Sequence, residues 1–66
     1  MNITVNGEKK DVPAEATILS VVESLGFAAA TVVVQQNDDI IPRDAYGDTR
    51  VKEGDTLELI RFVGGG

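Results

Sequence analysis

The side chains that carry most covalent chemistry are missing from this 66-residue chain, which has no Cys and no His. Thiol and imidazole catalysis, disulfides and Cys/His zinc sites are therefore excluded. Asp and Glu number 11 against 6 Lys and Arg, so paired carboxylates come next. Asp38-Asp39 falls in a turn, and Asp44, Asp48, Glu53 and Asp55 are scattered over loop signals. Their spacing fits no EF-hand loop, and turn preference alone accounts for Asp there. We assign no catalytic residue and no metal site. No Gly-rich loop precedes a helix start, which removes the usual phosphate cradle. Arg43 reads either as an anion contact or as a surface ion pair of little worth. Tyr46 reads as packing over the core edge. One stretch with chemical potential is left: Arg61-Phe62-Val63-Gly64-Gly65-Gly66. There a strand pattern runs into glycines, which lack the Cβ that would stop them threading a narrow channel. Three extended residues reach about 10 Å. The stretch is either a device that delivers the Gly66 carboxylate into another protein's active site or a frayed or appended terminus.

The elements that must aim this stretch are legible from pattern. Met1, Ile3 and Val5 alternate with Asn2 and Thr4, a strand with one buried face. Asn6-Gly7 is a strong signal for a two-residue hairpin. In that register Val12 faces Met1 and Lys10 faces Ile3, so Lys10 must run its stem along the sheet margin. Residues 8–12 then form a charged edge strand. Thr17 is the expected N-cap of a helix over residues 18–25. Ile18, Val21, Val22 and Leu25 make its apolar stripe, and Gly26 its stop. Val32-Val33-Val34 opens a third strand running to Asn37. A turn at 37–39 leads to a short Ile40-Ile41 strand ended by Pro42. Residues 43–48 read as loop or a single helical turn, 49–51 as a brief extended piece, and 56–62 as the last strand.

This order gives an α+β domain with one main helix on one face of a mixed four- to five-stranded sheet. In the simplest arrangement the last strand lies parallel beside the first, in the middle of the sheet. That is a β-grasp, or ubiquitin-like, architecture over residues 1–63, with 64–66 as a flexible tail. Along the last strand, Leu57 and Leu59 point to one face and Glu58, Ile60 and Phe62 to the other. If the helix covers the leucine face, Ile60 and Phe62 lie on the open face, joined by Val33. Such a patch favours a protein interface, although scattered surface hydrophobes are common.

Bulk composition narrows the partners. The formal net charge is −5. That argues against nucleic acid and anionic membrane, and for a partner with a basic docking surface. No apolar run is long enough to span a bilayer, and the start lacks the features of a signal peptide. The expected location is the cytoplasm.

Several stretches together resemble a known family. Met1-x-Ile3-x-Val5-Asn6-Gly7, Asn37 followed by Ile41-Pro42-Arg43 and Tyr46, the Gly54-Asp55 turn, and the close Leu59-Ile60-Arg61-Phe62-Val63-Gly64-Gly65-Gly66 are similar to the ThiS sulfur carriers of bacterial thiamin biosynthesis. These belong to the ubiquitin-like group that includes MoaD. The resemblance covers essentially the whole chain. It departs at Tyr46, where Trp is frequent, and in having three glycines where the family requires two.

The resemblance implies that the Gly66 carboxylate is adenylated by an E1-like, ThiF-like partner using ATP and magnesium. A cysteine-persulfide donor then converts it to a thiocarboxylate, and a ThiG-like thiazole synthase takes the sulfur. Gly64 and Gly65 provide clearance, and Ile60, Phe62, Val63 and Val33 contact the partner. The protein is then a monomeric co-substrate with no cofactor of its own, and not an enzyme. Three further readings stay open. One is a carrier for molybdopterin or another sulfur-containing metabolite. Another is a ubiquitin-like modifier forming isopeptide bonds through Gly66. The third is an interaction-only β-grasp domain, with the glycines as a spent linker.

Overall fold

Ile3 and Val5 are buried while Asn2 and Thr4 turn to the opposite face, so the alternation builds β1 (Asn2–Val5). Asn6 and Gly7 both take positive φ, 50° and 85°, the geometry a tight two-residue hairpin needs. The chain returns as β2 (Glu8–Asp11), with Ile3 opposite Lys10, and the Val12 N–H donates to the Met1 carbonyl at 2.8 Å. This is the register read from the sequence. Lys10 is half-buried and its ammonium lies 3.5 Å from Glu8.

Helix α1 (Ile18–Ser24) starts at Thr17 in a reciprocal cap. The Ser20 N–H donates to Thr17 Oγ1 (3.1 Å) and the Thr17 N–H to Ser20 Oγ (2.9 Å). The other free amides of the first turn find the connection between the last two strands, residues 42–55: Ile18 N–H donates to Thr49 O and Leu19 N–H to Tyr46 O. Leu25 is the cap residue rather than the last helical one. Gly26 follows at φ 86°. Its N–H donates to Glu23 O (3.0 Å) and the Phe27 N–H to Val22 O (3.2 Å), which makes a full Schellman motif.

A 3₁₀ turn at Ala29–Thr31 leads into β3 (Val32–Gln36), which turns at Asn37-Asp38 into β4 (Asp39–Ile41). Asn37 has a φ of 56°. After Pro42 a 3₁₀ turn at Arg43–Ala45 and a single bridge between Thr17 and Arg50 carry the chain back. β5 (Thr56–Arg61) closes the sheet in the order β2-β1-β5-β3-β4. It is parallel to β1 and antiparallel to β3. The computed structural model describes residues 1–61.

α1 lies on one face of this sheet. Ile18, Val22, Val32, Val34 and Leu57 are all fully buried between the layers. Each such side chain contributes about 1.5–3 kcal/mol relative to exposure. Tyr46 is 3% exposed and works as a clasp. Its hydroxyl donates to the Val32 carbonyl (2.7 Å) and accepts from the Val34 N–H (3.2 Å), on the side of β3 where β4 stops at Pro42. Among the described residues Arg43 pairs with no carboxylate; its Nε donates to Ala29 O at 3.2 Å. The Ile-Pro-Arg and aromatic signals are thus structural parts that fix the entry and exit of β3. Among the described residues no helix is long and apolar enough to cross a membrane.

Candidate functional site

The site is built on β5, because β5 leads into the glycine stretch. Thr-Leu-Glu-Leu-Ile-Arg alternates, and the alternation decides which face each side chain meets. Leu57 and Leu59 are 0% and 7% exposed under the helix, whereas Glu58 and Ile60 face outward. β5 sits in the middle of the sheet with hydrogen-bonded neighbours on both sides. Thr4 and Val5 pair with Thr56 and Leu57, and β3 pairs along the whole strand from Leu57 to Arg61.

Two asparagines extend this hold. Each occupies a left-handed hairpin position, and each also bonds β5. Where β1 ends, the Asn6 carboxamide takes its place: Oδ1 accepts from Leu59 N–H (2.8 Å) and Nδ2 donates to Leu59 O (3.3 Å). At the other end Asn37 Oδ1 accepts from Thr56 N–H at 3.1 Å. Asp55, just before the strand, is nearly buried. Its carboxylate accepts from Lys52 N–H (2.7 Å), Gln36 Nε2 (2.9 Å) and Asn37 Nδ2 (3.3 Å). Burial raises its pKa, but the Lys52 amide, the Gln36 and Asn37 amides and the Lys52 charge together outweigh it and hold the group below its ordinary 3.8. The loop carboxylate read as a turn residue is therefore a staple for the root of β5.

The open face carries the apolar patch. Ile60 is 50% exposed and lies directly opposite the half-buried Val33. The structure brings together the pair expected from alternation. Ile40, 65% exposed, extends the patch to the β4 edge. It pairs with Gln35, two residues from Val33 on the same face. The sequence reading assigned Ile40 no face, although Ile41 packing inward against the core requires Ile40 to point out. The remaining expected site residues, Phe62, Val63, Gly64, Gly65 and Gly66, lie outside the described residues. Nowhere among the described residues do three or more His, Cys, Asp or Glu side chains gather as metal ligands would.

β5 is thus a strand locked from both sides, with an apolar face beside it and, in the sequence, glycines after it. Comparison with known proteins places this arrangement in a family. The chain is 36% identical to ThiS from Geobacter metallireducens, whose crystal structure superposes with a TM-score of 0.84 over all of both chains. It is 33% identical over 58 residues to the sulfur carrier protein ThiS of Bacillus subtilis, covering 88% of this chain and 83% of that one. It is 35% identical over its full length to part of a thiazole synthase of Paramagnetospirillum magneticum, and spans only 20% of that protein's length. A thiazole synthase of Magnetococcus marinus matches similarly, at 36% identity over 20% of its length. The family model for ThiS matches residues 2–66. With its β-grasp fold and central β5, the chain belongs to the ThiS family of sulfur carriers in thiamin biosynthesis.

Proposed function

We propose that the protein carries sulfur as a thiocarboxylate on Gly66 for the thiazole ring of thiamin. The observation that carries this reading is the family match, which runs through the glycines to residue 66. A carboxylate is a poor acyl donor, since oxide is its leaving group. The Gly66 carboxylate therefore attacks the α-phosphorus of ATP on an E1-like adenylyltransferase that holds ATP and magnesium, and pyrophosphate leaves. The persulfide sulfur of a cysteine-bearing donor attacks the acyl carbon, and AMP leaves. A thiol then attacks the donor sulfur of the acyl disulfide, removing the donor as a disulfide and leaving the thiocarboxylate. Apart from the Gly66 carboxylate itself, the chain supplies no base, nucleophile or metal to these steps; it is the co-substrate. Val33 and Ile60, with Phe62 and Val63, form the grip, and Gly64 and Gly65 give the acyl carbon clearance.

A thiazole synthase as acceptor is supported by the two thiazole synthases that contain a segment similar to this whole chain. We place the reaction in the cytoplasm, with the carrier monomeric when alone. Intact mass spectrometry after incubation with ATP, magnesium, an E1-like enzyme and a sulfur source tests the reading. We expect a gain of about 16 Da, the exchange of oxygen for sulfur, lost on deletion of Gly66. High-mass conjugates point instead to a modifier, and no ATP-dependent change overturns the carrier reading.

A further inference from the structure

Leu57, Leu59 and Arg61 share the helix-facing side of β5, but only the leucines are buried. α1 has 7 residues and has already ended when the strand reaches Arg61. The Schellman turn fills the gap. Gly26 at φ 86° reverses the chain, and the Phe27 N–H bond to Val22 O sets Phe27 back over the sheet. The guanidinium carbon of Arg61 stands 4.9 Å from the centre of the Phe27 ring. That distance is within the range where a cation is held by an aromatic face. Arg61 is also the last residue of β5 paired with β3, opposite Val32. On the β1 side, the last hold is Asn6 on Leu59. Among the described residues, the side-chain contact between Phe27 and Arg61 is thus the outermost tie on the strand.

We propose that Phe27 is a positioning residue for the tail. Its ring fixes Arg61, and so fixes the direction of β5 at its last described residue. The proposal rests on the reading that residues beyond Arg61 are delivered into a partner's active site. A root held in one orientation concentrates the reactive end where the partner needs it; a loose root spreads it over unproductive poses. Phe27 lies on the helix side of the sheet and the patch of Ile60 and Val33 on the other, so the tie acts on delivery and not on docking.

The contact is tested first in the free protein by NMR. The Arg61 δ-methylene protons should be shifted upfield by the ring, and Phe27→Leu should lower the order parameter of the Arg61 amide while Val21 and Leu57 keep theirs. Unshifted protons or an unchanged order parameter overturn the proposal. With the E1-like enzyme, Phe27→Leu should lower kcat for adenylate formation roughly two- to fivefold, the range that an exposed cation–π contact supports, with KM unchanged. Phe27→Tyr should restore it. Arg61→Gln, at an exposed position that leaves the core intact, should match the loss. The double variant should be no worse than Arg61→Gln alone. An unchanged kcat in Phe27→Leu, or losses that add in the double variant, sinks the positioning role. If the wild-type protein is not adenylated at all, the carrier reading fails, and the tie is still decided by the ring shift and the order parameter.

Discussion

Asp55 is the one acidic side chain that folding removes from solvent, and its three amide donors show what it is for. A carboxylate accepts at both oxygens, whereas Asn in its place must aim an NH₂ at donors already present. Asp55→Asn should therefore cost about 1–3 kcal/mol at neutral pH, read by chemical denaturation. The pH dependence follows from the lowered pKa of the folded state. A depressed carboxyl stabilises the fold fully above its unfolded value near 4, and the gain is lost as pH falls through the folded value. The gap between wild type and Asp55→Asn should shrink when unfolding is followed from pH ~7 to pH ~3. A gap of equal size at both ends refutes the staple. Little at this scale was legible in the sequence. Asp55, Asn6, Asn37 and Tyr46 each read as turn or edge residues from local pattern, and each turned out to bond a strand remote in sequence. Such bonds depend on register between distant segments, which no short window of sequence contains.

The elements were far more legible, because their signals are local. The Asn6-Gly7 hairpin, the Thr17 cap, the apolar stripe of α1 and the Gly26 stop all appear where pattern put them. The facing of β5 followed from alternation plus the choice of which face the helix covers. The central place of β5 beside β1 came from the simplest hairpin-and-crossover topology and from the family resemblance; the propensities of single residues do not determine it. The two layers also explain why a patch remains: one short helix covers one face of a five-stranded sheet, leaving the other open. Ile60→Asp should weaken binding to the E1-like partner roughly tenfold or more by calorimetry, and Val33→Asp should act alike. Both variants should still unfold cooperatively, since the helix side of the sheet is untouched. Loss of folding in Ile60→Asp makes that residue core, and wild-type affinity removes it from the grip.

At the scale of the whole molecule, charge is the property that acts at a distance. The chain carries a net −5, and every acidic residue except Asp55 is exposed. These charges surround the apolar patch without forming it: Glu58 shares the open face with Ile60, Asp38 lies in the turn before β4, and Asp39 opens β4 next to Ile40. Division of labour follows from range. Apolar contact acts only once water is excluded, so it governs how long a complex lasts; an unscreened field acts over about 10 Å and governs how often partners meet. On the proposed reading, a carrier that is not joined to its adenylating enzyme finds it by diffusion. We therefore expect the association rate constant with the E1-like partner, measured by stopped flow, to fall about tenfold or more as salt is raised from ~0.05 to ~0.5 M. The dissociation rate constant should change much less, and Ile60→Asp should show the reverse, a faster dissociation with the same salt slope. An association rate indifferent to salt places recognition in the patch alone and leaves the acidic surface with no part in finding the partner.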